Sequence, residues 1–424
     1  MSAVRVALAG LIALAVAMGI GRFAFTPILP MMLHDGVVDL HAASWLASAN
    51  YLGYLSGAVL CTLQPRIWAR LPGLPAVNAP LMTRIGLVAT TVLTLAMALP
   101  APLAWPVLRF AAGIASALVF VYSSGWCLTQ IAARGEAALG GLMFAGPGIG
   151  IVASGLLASA MVALQWRASA AWVVFAGLAL ALSAAVWRVF RPGAIGVLPA
   201  AATTGSAAPS LAPGSASTVD AAASSVPTHS RAEVATLAVA YGLAGFGYIV
   251  TATFLPVIAR GVLPNSAWLD LFWPIFGAGV ILGALLATRV RVSGDLRLVL
   301  AGAYVIQAIG IGIGLLAPTA AGFAIGSFLL GLPFTAITYF AMQEVRRLRP
   351  AQLSSTTGLV TATWSLGQTL GPPVVAVLLG RIADVGSAFT LSLVAAAAVL
   401  LVGALVFFAA SRVWPNLRLP AGAG

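Results

Sequence analysis

Long apolar stretches alternate with short polar segments along almost the whole chain. Twelve of them are long enough to cross a membrane, since a bilayer-spanning helix needs about 20 mainly apolar residues. In the first half, spans are predicted at 6–33, 43–63, 81–99, 101–132, 139–164 and 170–190. In the second half, they are predicted at 234–259, 268–288, 298–317, 320–344, 354–379 and 387–410. The pattern predicts an all-α membrane protein.

The segment between the sixth and seventh spans has a different composition. Residues 192–231 include 31 Ala, Ser, Thr, Pro or Gly among 40 residues, with no aromatic residue. Such a segment cannot bury enough apolar surface to offset its ordering entropy, so we predict a disordered cytoplasmic linker. It separates an N-terminal six-helix bundle, 1–191, from a C-terminal six-helix bundle, 232–424.

A short motif recurs in the two halves. Residues 19–22 read Gly-Ile-Gly-Arg and precede Leu-Pro at 29–30, whereas residues 245–248 read Gly-Phe-Gly-Tyr and precede Leu-Pro at 255–256. All matching positions differ by 226. The copies lie in the first and seventh spans, six spans apart, so both copies run in the same direction. Parallel six-helix halves related by an axis along the membrane normal are the arrangement of major facilitator transporters.

Composition excludes several classes of protein. Of the 424 residues, 61% are hydrophobic and 7% charged, whereas a soluble domain carries about 25% charged residues. A water-facing surface cannot be built from this supply, which excludes a soluble enzyme or a nucleic-acid binder despite the net charge of +12. The two cysteines and three histidines show no metal-ligand spacing. We therefore predict no cofactor, no metal and no enzymatic activity.

The basic residues are all arginines, and their positions predict the topology. If both termini are cytoplasmic, sixteen of the 21 arginines fall in inner segments, and three, Arg167, Arg260 and Arg381, fall in outer segments. This bias follows the positive-inside rule, so both termini are predicted to be cytoplasmic. The inner arginines also suit contact with the anionic headgroups of the bilayer.

The two remaining arginines, Arg22 and Arg109, fall inside apolar spans. An unpaired charge there costs at least ~2.5–3.5 kcal/mol. Counting about 1.5 Å per helical residue from each membrane surface places both arginines at a similar depth. Two interpretations are open for each. Its guanidinium either caps backbone carbonyls and locks a broken helix, or binds an anionic substrate group with its planar bidentate fork.

Other polar and aromatic residues are predicted at the same depth. Depth alone does not show which helix face points inward, and helix–helix packing is the alternative explanation for each of them. The candidate substrate-binding residues are Arg22, Thr26, Asn50, Tyr54, Arg109, Tyr248, Trp364 and Gln368.

Three strings carry a family resemblance. Residues 19–30 read Gly-Ile-Gly-Arg-Phe-Ala-Phe-Thr-Pro-Ile-Leu-Pro, residues 47–55 read Ala-Ser-Ala-Asn-Tyr-Leu-Gly-Tyr-Leu, and residues 109–117 read Arg-Phe-Ala-Ala-Gly-Ile-Ala-Ser-Ala. They resemble the YbfB/YjiJ family of the major facilitator superfamily (MFS). The resemblance covers essentially all twelve spans. It implies a carrier of the bacterial inner membrane that works by rocking of its two halves.

Two superfamily motifs can be matched to single residues. Arg109-x3-Gly113 resembles the fourth-span motif that is associated with proton-coupled carriers. Gly146-Pro147-x2-Gly150 resembles the antiporter motif, where Pro removes a backbone donor and Gly permits close packing, so a gating bend is expected there. The loops after Gly57 and Gly283 lack the acidic residue of the superfamily's gating loop, which puts the usual charge lock in doubt.

These observations predict a secondary active transporter of a small organic solute, an anion, which works by alternating access as a monomer. Its site is expected between the halves at the level of Arg22. Because the sequence offers no Asp, Glu or His well inside a span, coupling would use a proton carried by the substrate, an acidic residue at the outer ends or a counter-anion. The alternative is proton-driven efflux of hydrophobic or drug-like compounds.

Overall fold

A computed structural model of the chain describes residues 1–71, 77–136, 139–191, 230–263, 268–289, 294–349 and 353–415. All regular secondary structure in these ranges is helical. The α-helices are α1 Ala3–Leu14, α2 Phe25–His34, α3 Leu40–Arg70, α4 Ala79–Ala96, α5 Trp105–Ala132, α6 Gly140–Met143, α7 Gly146–Ala163, α8 Ala168–Val186, α9 Arg231–Val262, α10 Phe272–Ala287, α11 Leu296–Leu316, α12 Ala320–Gly331, α13 Phe334–Leu348, α14 Leu353–Arg381 and α15 Val385–Val413.

The predicted membrane spans agree with these helices. Eleven of them coincide with described helical segments that are long and apolar enough to cross a membrane. The other, predicted at 354–379, lies within α14, which has 29 residues and carries several Ser, Thr and Gly residues. The first, fifth and tenth spans are each built from two helices with a break between them. Most of the predicted linker, 192–229, lies outside the described residues.

Contacts between helix ends place both described termini at the same end of the molecule. At the end of the fourth span, Arg134 donates from Nε to the carbonyl oxygen of Met1 at 3.1 Å. At the start of the ninth span, Arg297 donates to the carbonyl oxygen of Trp414 at 2.6 Å. We call this end the terminal end and the other the opposite end. This placement is expected when the chain crosses the membrane an even number of times.

The sequence repeat is also visible in the packing. Gly19 on the first span packs against the backbone of Gly150 on the fifth, and its counterpart Gly245 packs against the backbone of Trp364 on the eleventh. A Cβ at either glycine would collide with main-chain atoms. The fifth and eleventh spans occupy the same place in their respective halves, so the two copies of the motif make equivalent contacts. The predicted fold, two parallel six-helix repeats, is confirmed.

A cluster of charged side chains holds the terminal end of the second half together. We call Glu233, Asp295, Arg297, Glu344 and Arg347 the charge cluster. Arg297 lies 3.1 Å from Glu233, 3.1 Å from Asp295 and 3.3 Å from Glu344. Arg347 bridges Glu233 and Glu344 at 3.0 and 2.7 Å. All five belong to the second half, so the described cluster ties helices within that half and does not connect it to the first half.

Candidate functional site

The first span, Ala3–His34, is interrupted near its own middle. A π-helical segment, Ala15–Ile20, follows α1 and is succeeded by turns before α2 begins. Gly21 N donates to Val16 O at 2.9 Å, and Phe23 N donates to Met18 O at 3.0 Å, both five residues back. Such wide turns release main-chain carbonyls from the helical ladder and are frequent at functional sites. Arg22 lies in this break.

The fourth span supplies donors to the released carbonyls. Ser116 donates to Ala17 O at 2.7 Å. Arg109 donates to Gly21 O at 3.5 Å and to Arg22 O at 3.2 Å, while its guanidinium lies 4.7 Å from the ring of Phe25. Burying polar backbone groups without a partner is costly, so these bonds stabilise the break. This geometry matches the locking interpretation of Arg109.

Arg22 projects toward the second half of the molecule. Its side chain, in a residue that is 2% exposed, donates to Oε1 of Gln368 on α14. The guanidinium carbon lies 4.1 Å from the ring centroid of Tyr54, 5.1 Å from that of Tyr51 and 5.3 Å from that of Phe23. Among the described residues, no carboxylate pairs with it, and its Nε has no hydrogen-bond partner. Apart from Arg109, whose guanidinium binds the carbonyl oxygen of Arg22, its neighbours are therefore neutral.

A chain of hydrogen bonds continues from Arg22 across the interface. Gln368 accepts from Arg22 and donates from Nε2 to the hydroxyl of Tyr248. Tyr248 is the counterpart of Arg22 in the sequence repeat, so one amide connects the two equivalent positions of the two halves. The ring of Tyr248 stacks on Trp364 at 5.3 Å and meets Phe334 edge-on at 4.9 Å.

The structure brings five of the eight predicted substrate-binding residues together. Arg22, Tyr54, Tyr248, Trp364 and Gln368 lie around the break in the first span, connected by the contacts described above. They combine one cation and one amide with aromatic rings in a buried site between the halves. Such a site can hold an anionic group on the cation and an apolar or planar body on the rings.

The other three predicted binding residues make different contacts. Arg109 binds the backbone of the first span, as described, and Asn50, which is 0% exposed, donates from Nδ2 to Arg109 O at 2.9 Å. Asn50 therefore ties α3 to α5. Thr26 donates to the carbonyl oxygen of Ala252 on α9 at 3.2 Å, a contact between the halves.

Sequence reasoning missed several aromatic residues of the site. Tyr51 faces Arg22 and shares a hydrogen bond of 2.9 Å with Thr253 across the halves. Phe334 begins α13 directly after the break at Pro333 and contacts both Phe23 and Tyr248. Pro333 is a signal for a broken helix, and that break could have pointed to the residue after it. For Tyr51, the sequence offered only its estimated depth in the span. Depth does not show which helix face points toward Arg22, so this residue could not be selected.

The predicted bend region lies beside the site. The fifth span is interrupted between α6 and α7, and Gly146 and Pro147 occupy the first two positions of α7. Gly150 packs on Ala15 and Gly19 of the π-helical segment, and Gly148 packs on the carbonyl of Gly277 in the other half. The start of α7 therefore contacts both the break in its own half and the partner half.

Comparisons with known proteins agree with this architecture. A family model described as "Uncharacterised MFS-type transporter YbfB" matches residues 14–408. A crystal structure of a point mutant of the nucleoside transporter NupG is similar with a TM-score of 0.67 at 14% sequence identity, over 96% of this chain and 99% of that one. At this identity the similarity shows the fold alone. A comparison with curated protein sequences finds no significant match. The chain is a multi-pass membrane protein and belongs to the YbfB family of MFS-type transporters, as its sequence motifs predicted.

Proposed function

We propose that this protein is a secondary active transporter that moves a small organic anion by alternating access, with Arg22 as the residue that binds the charged group. The observation that carries the proposal is the environment of Arg22. Arg22, a residue that is 2% exposed, lies between the halves and contacts an amide and aromatic rings, with no carboxylate paired to it among the described residues. Burying a cation without an anion is expensive, and such residues in membranes mark substrate pathways.

The bond from Arg22 to Gln368 is what we expect of an anion-binding site without its ligand. A neutral amide satisfies one donor of the guanidinium but does not neutralise it. A carboxylate or phosphate would accept two parallel bonds from the planar fork, and charge-assisted bonds are roughly twice as strong as neutral ones. The anion would therefore displace Gln368.

Displacement of Gln368 would also link binding to the motion of the halves. Arg22 belongs to the first half, whereas Gln368 and Tyr248 belong to the second. Removing the amide from Arg22 loosens one bond across the interface and replaces it with a contact to the substrate. A ligand shifts a conformational equilibrium only through such a difference in contacts between two states.

We assign the other predicted residues complementary roles. Tyr54, Tyr248 and Trp364 would enclose the body of the substrate. Arg109 and Asn50 would hold the broken helix in shape, and Thr26 would act at the interface. Gly146, Pro147 and Gly150 would provide the bend around which the halves rock.

The coupling mechanism follows from the same environment. In the described spans, Glu233 and Glu344 belong to the charge cluster at the terminal end, away from Arg22, and Asp270 at the opposite end is paired with Arg260. We therefore favour a proton carried by the substrate, or exchange against a counter-anion. The arginine distribution supports cytoplasmic termini, and the family resemblance implies a place in the bacterial inner membrane.

The test uses purified protein in proteoliposomes loaded with a panel of small carboxylates and phosphates, with nucleosides as neutral aromatic controls. Wild type is expected to exchange at least one anion across the membrane, and Arg22→Gln is expected to lose that exchange. Anion exchange that persists at the wild-type rate in Arg22→Gln would refute the role of Arg22.

A second candidate function is proton-driven efflux of hydrophobic or drug-like compounds. The aromatic lining around Tyr248 and the break before Gly146 favour it. Expression of the protein in a sensitive bacterial strain would then lower susceptibility to such compounds, and Arg22→Gln would not reverse the effect. Unchanged susceptibility across chemically diverse compounds would exclude this function.

A further inference from the structure

At the terminal end of each half, an arginine donates a hydrogen bond to the carbonyl oxygen of a tryptophan. In the first half, Arg84 on the third span donates to the carbonyl oxygen of Trp187 at the end of the sixth span, at 2.6 Å. In the second half, Arg297 on the ninth span donates to the carbonyl oxygen of Trp414 at the end of the twelfth, also at 2.6 Å. The third and ninth spans are equivalent in the parallel repeat, and so are the sixth and twelfth.

The two arginines differ in how their charge is balanced. Arg297 lies within 3.3 Å of three carboxylates. The first half contains only three carboxylates in its sequence, Asp35, Asp39 and Glu136. None of these is paired with Arg84 in the described structure. The guanidinium of Arg84 lies instead 4.4 Å from the ring of Trp187, and its buried Nε has no hydrogen-bond partner there.

Two further arginines increase the positive charge at this position. Arg188 and Arg191 follow Trp187, whose carbonyl oxygen binds Arg84, and both are exposed. We call Arg84, Arg188 and Arg191 the arginine patch. Within the described residues, no carboxylate pairs with any of the three.

Apolar side chains are exposed on the two helices next to the arginine patch. On α4, Leu81, Ile85 and Val88 are exposed on the outside of the helical bundle, and on α8 Val173 and Leu180 are exposed. The patch lies at the terminal end of these helices, where a membrane-spanning segment meets the headgroup layer. Trp187 is itself partly exposed, and Trp is typical of that layer.

We infer that the arginine patch binds the phosphate headgroup of an anionic phospholipid, which supplies the negative charge that carboxylates supply in the second half. Arg84 contributes its uncompensated positive charge, and Arg188 and Arg191 contribute exposed guanidinium groups that match phosphate oxygens. The acyl chains would lie along the exposed apolar faces of α4 and α8. A free phosphate ion shares the headgroup chemistry but lacks the contact with those faces.

The inference can be tested by native mass spectrometry of the purified full-length protein with added phosphatidylglycerol, phosphatidylcholine or inorganic phosphate. The test variant is Arg188→Gln/Arg191→Gln, which leaves the bond from Arg84 to Trp187 intact. The matched control is Arg5→Gln/Arg412→Gln, which removes two exposed arginines from the terminal ends of the first and twelfth spans.

Wild type and the control are expected to retain phosphatidylglycerol in preference to phosphatidylcholine. The test variant is expected to bind phosphatidylglycerol about fivefold more weakly for each arginine removed, equivalent to about 1 kcal/mol each. Equal retention by the test and control variants would overturn the inference. So would competition by inorganic phosphate as effective as phosphatidylglycerol, which would assign the patch to a free ion.

Discussion

The hydroxyl of Thr26 donates to the carbonyl oxygen of Ala252 at 3.2 Å, and Ala252 is the residue that the sequence repeat pairs with Thr26, 226 positions later. The first spans of the two halves therefore meet at equivalent positions, close to the axis that relates the halves. A contact near this axis joins the two halves directly.

Bonds of this kind between the halves are expected to stabilise the described conformation. Thr26→Val removes the bond to Ala252, and Tyr51→Phe removes the bond to Thr253. A buried side-chain hydrogen bond in a membrane protein contributes about 0.6 kcal/mol on average, so each substitution should raise the population of the opened state about threefold. A cysteine introduced at Ser48, which bonds Thr369 O across the interface, reports that opening by its rate of maleimide labelling.

The control for this experiment is Thr26→Ser, which keeps the hydroxyl. It should label at the rate of the parent reporter protein. The native thiols of Cys61 and Cys127 are buried, and a protein without the reporter cysteine measures their background. Labelling that is unchanged in both Thr26→Val and Tyr51→Phe would show that these bonds do not hold the halves together.

Arg22 and Arg109 are expected to separate in their effects on transport and stability. Arg109→Gln leaves the carbonyls of Gly21 and Arg22 short of donors, and an unsatisfied buried group costs about 1–3 kcal/mol. We expect a clear decrease in the unfolding temperature of the detergent-solubilised protein. Arg22→Gln removes a charge that no carboxylate balances in the described structure and that lies near the cation Arg109, so we expect little loss of stability and a loss of anion transport.

Arg22→Lys distinguishes charge from geometry at the same position. Lys keeps the charge but lacks the bidentate fork, so the apparent affinity for the anion should fall while some transport remains. Thermal unfolding and proteoliposome exchange, measured on the same preparations, check both arginines. A transport defect in Arg109→Gln without a loss of stability would contradict the division of roles.

The sequence predicted the fold well because the membrane imposes a simple rule. Every span must be long and apolar, and every deviation from that rule is conspicuous. Arg22 and Arg109 were identified for this reason. Their different contacts could not be predicted, because the π-helical segment rotates the residues that follow it. The helix face on which Arg22 lies depends on that extra residue per turn, and nothing in the local composition indicates it.

The charge cluster and the aromatic lining were harder to predict for a related reason. Glu233 and Glu344 are 111 positions apart in the sequence and lie near the ends of different spans, where charges are ordinary. Only the packing of α9 against α11 and α13 brings them to Arg297 and Arg347. Side chains such as Tyr51 are common in membrane helices, so their convergence on Arg22 is a property of the tertiary structure.

In Gln368→Glu, the introduced carboxylate is expected to bind Arg22 and so occupy the proposed anion site. Glu has nearly the same shape as Gln, and its carboxylate would pair with the guanidinium of Arg22 in place of the amide. External anions would then compete with a fixed partner, so we expect their affinity to fall at least about tenfold, a difference of about 1.4 kcal/mol. Ligand-induced thermal stabilisation measures this affinity, because a ligand raises stability according to its concentration relative to its Kd.

Gln368→Met provides the neutral control for that substitution. It removes the bonds to Arg22 and Tyr248 without adding a charge, so anion affinity should be kept or increased. If Gln368→Glu and Gln368→Met weaken anion binding equally, the loss would come from disturbed packing, and competition for Arg22 would be ruled out.

The charge cluster gives the sharpest prediction about stability, because the first half contains an equivalent arginine without paired carboxylates in the described structure. Arg297→Gln leaves Glu233 and Glu344 buried with one cation fewer, and breaking a buried ion pair from one side costs about 3–5 kcal/mol. Arg84→Gln removes the equivalent bond to a Trp carbonyl but strands no carboxylate in the described structure, so its cost should be about 1 kcal/mol. Thermal unfolding of both variants compares them directly.

The loss of stability in Arg347→Gln should lie between the losses in these two variants, since the Arg347 side chain is 27% exposed and Arg297 still neutralises Glu233 and Glu344. Equal losses in Arg297→Gln and Arg84→Gln would mean that the carbonyl bond, which both arginines make, is the stabilising interaction and that the carboxylates contribute nothing.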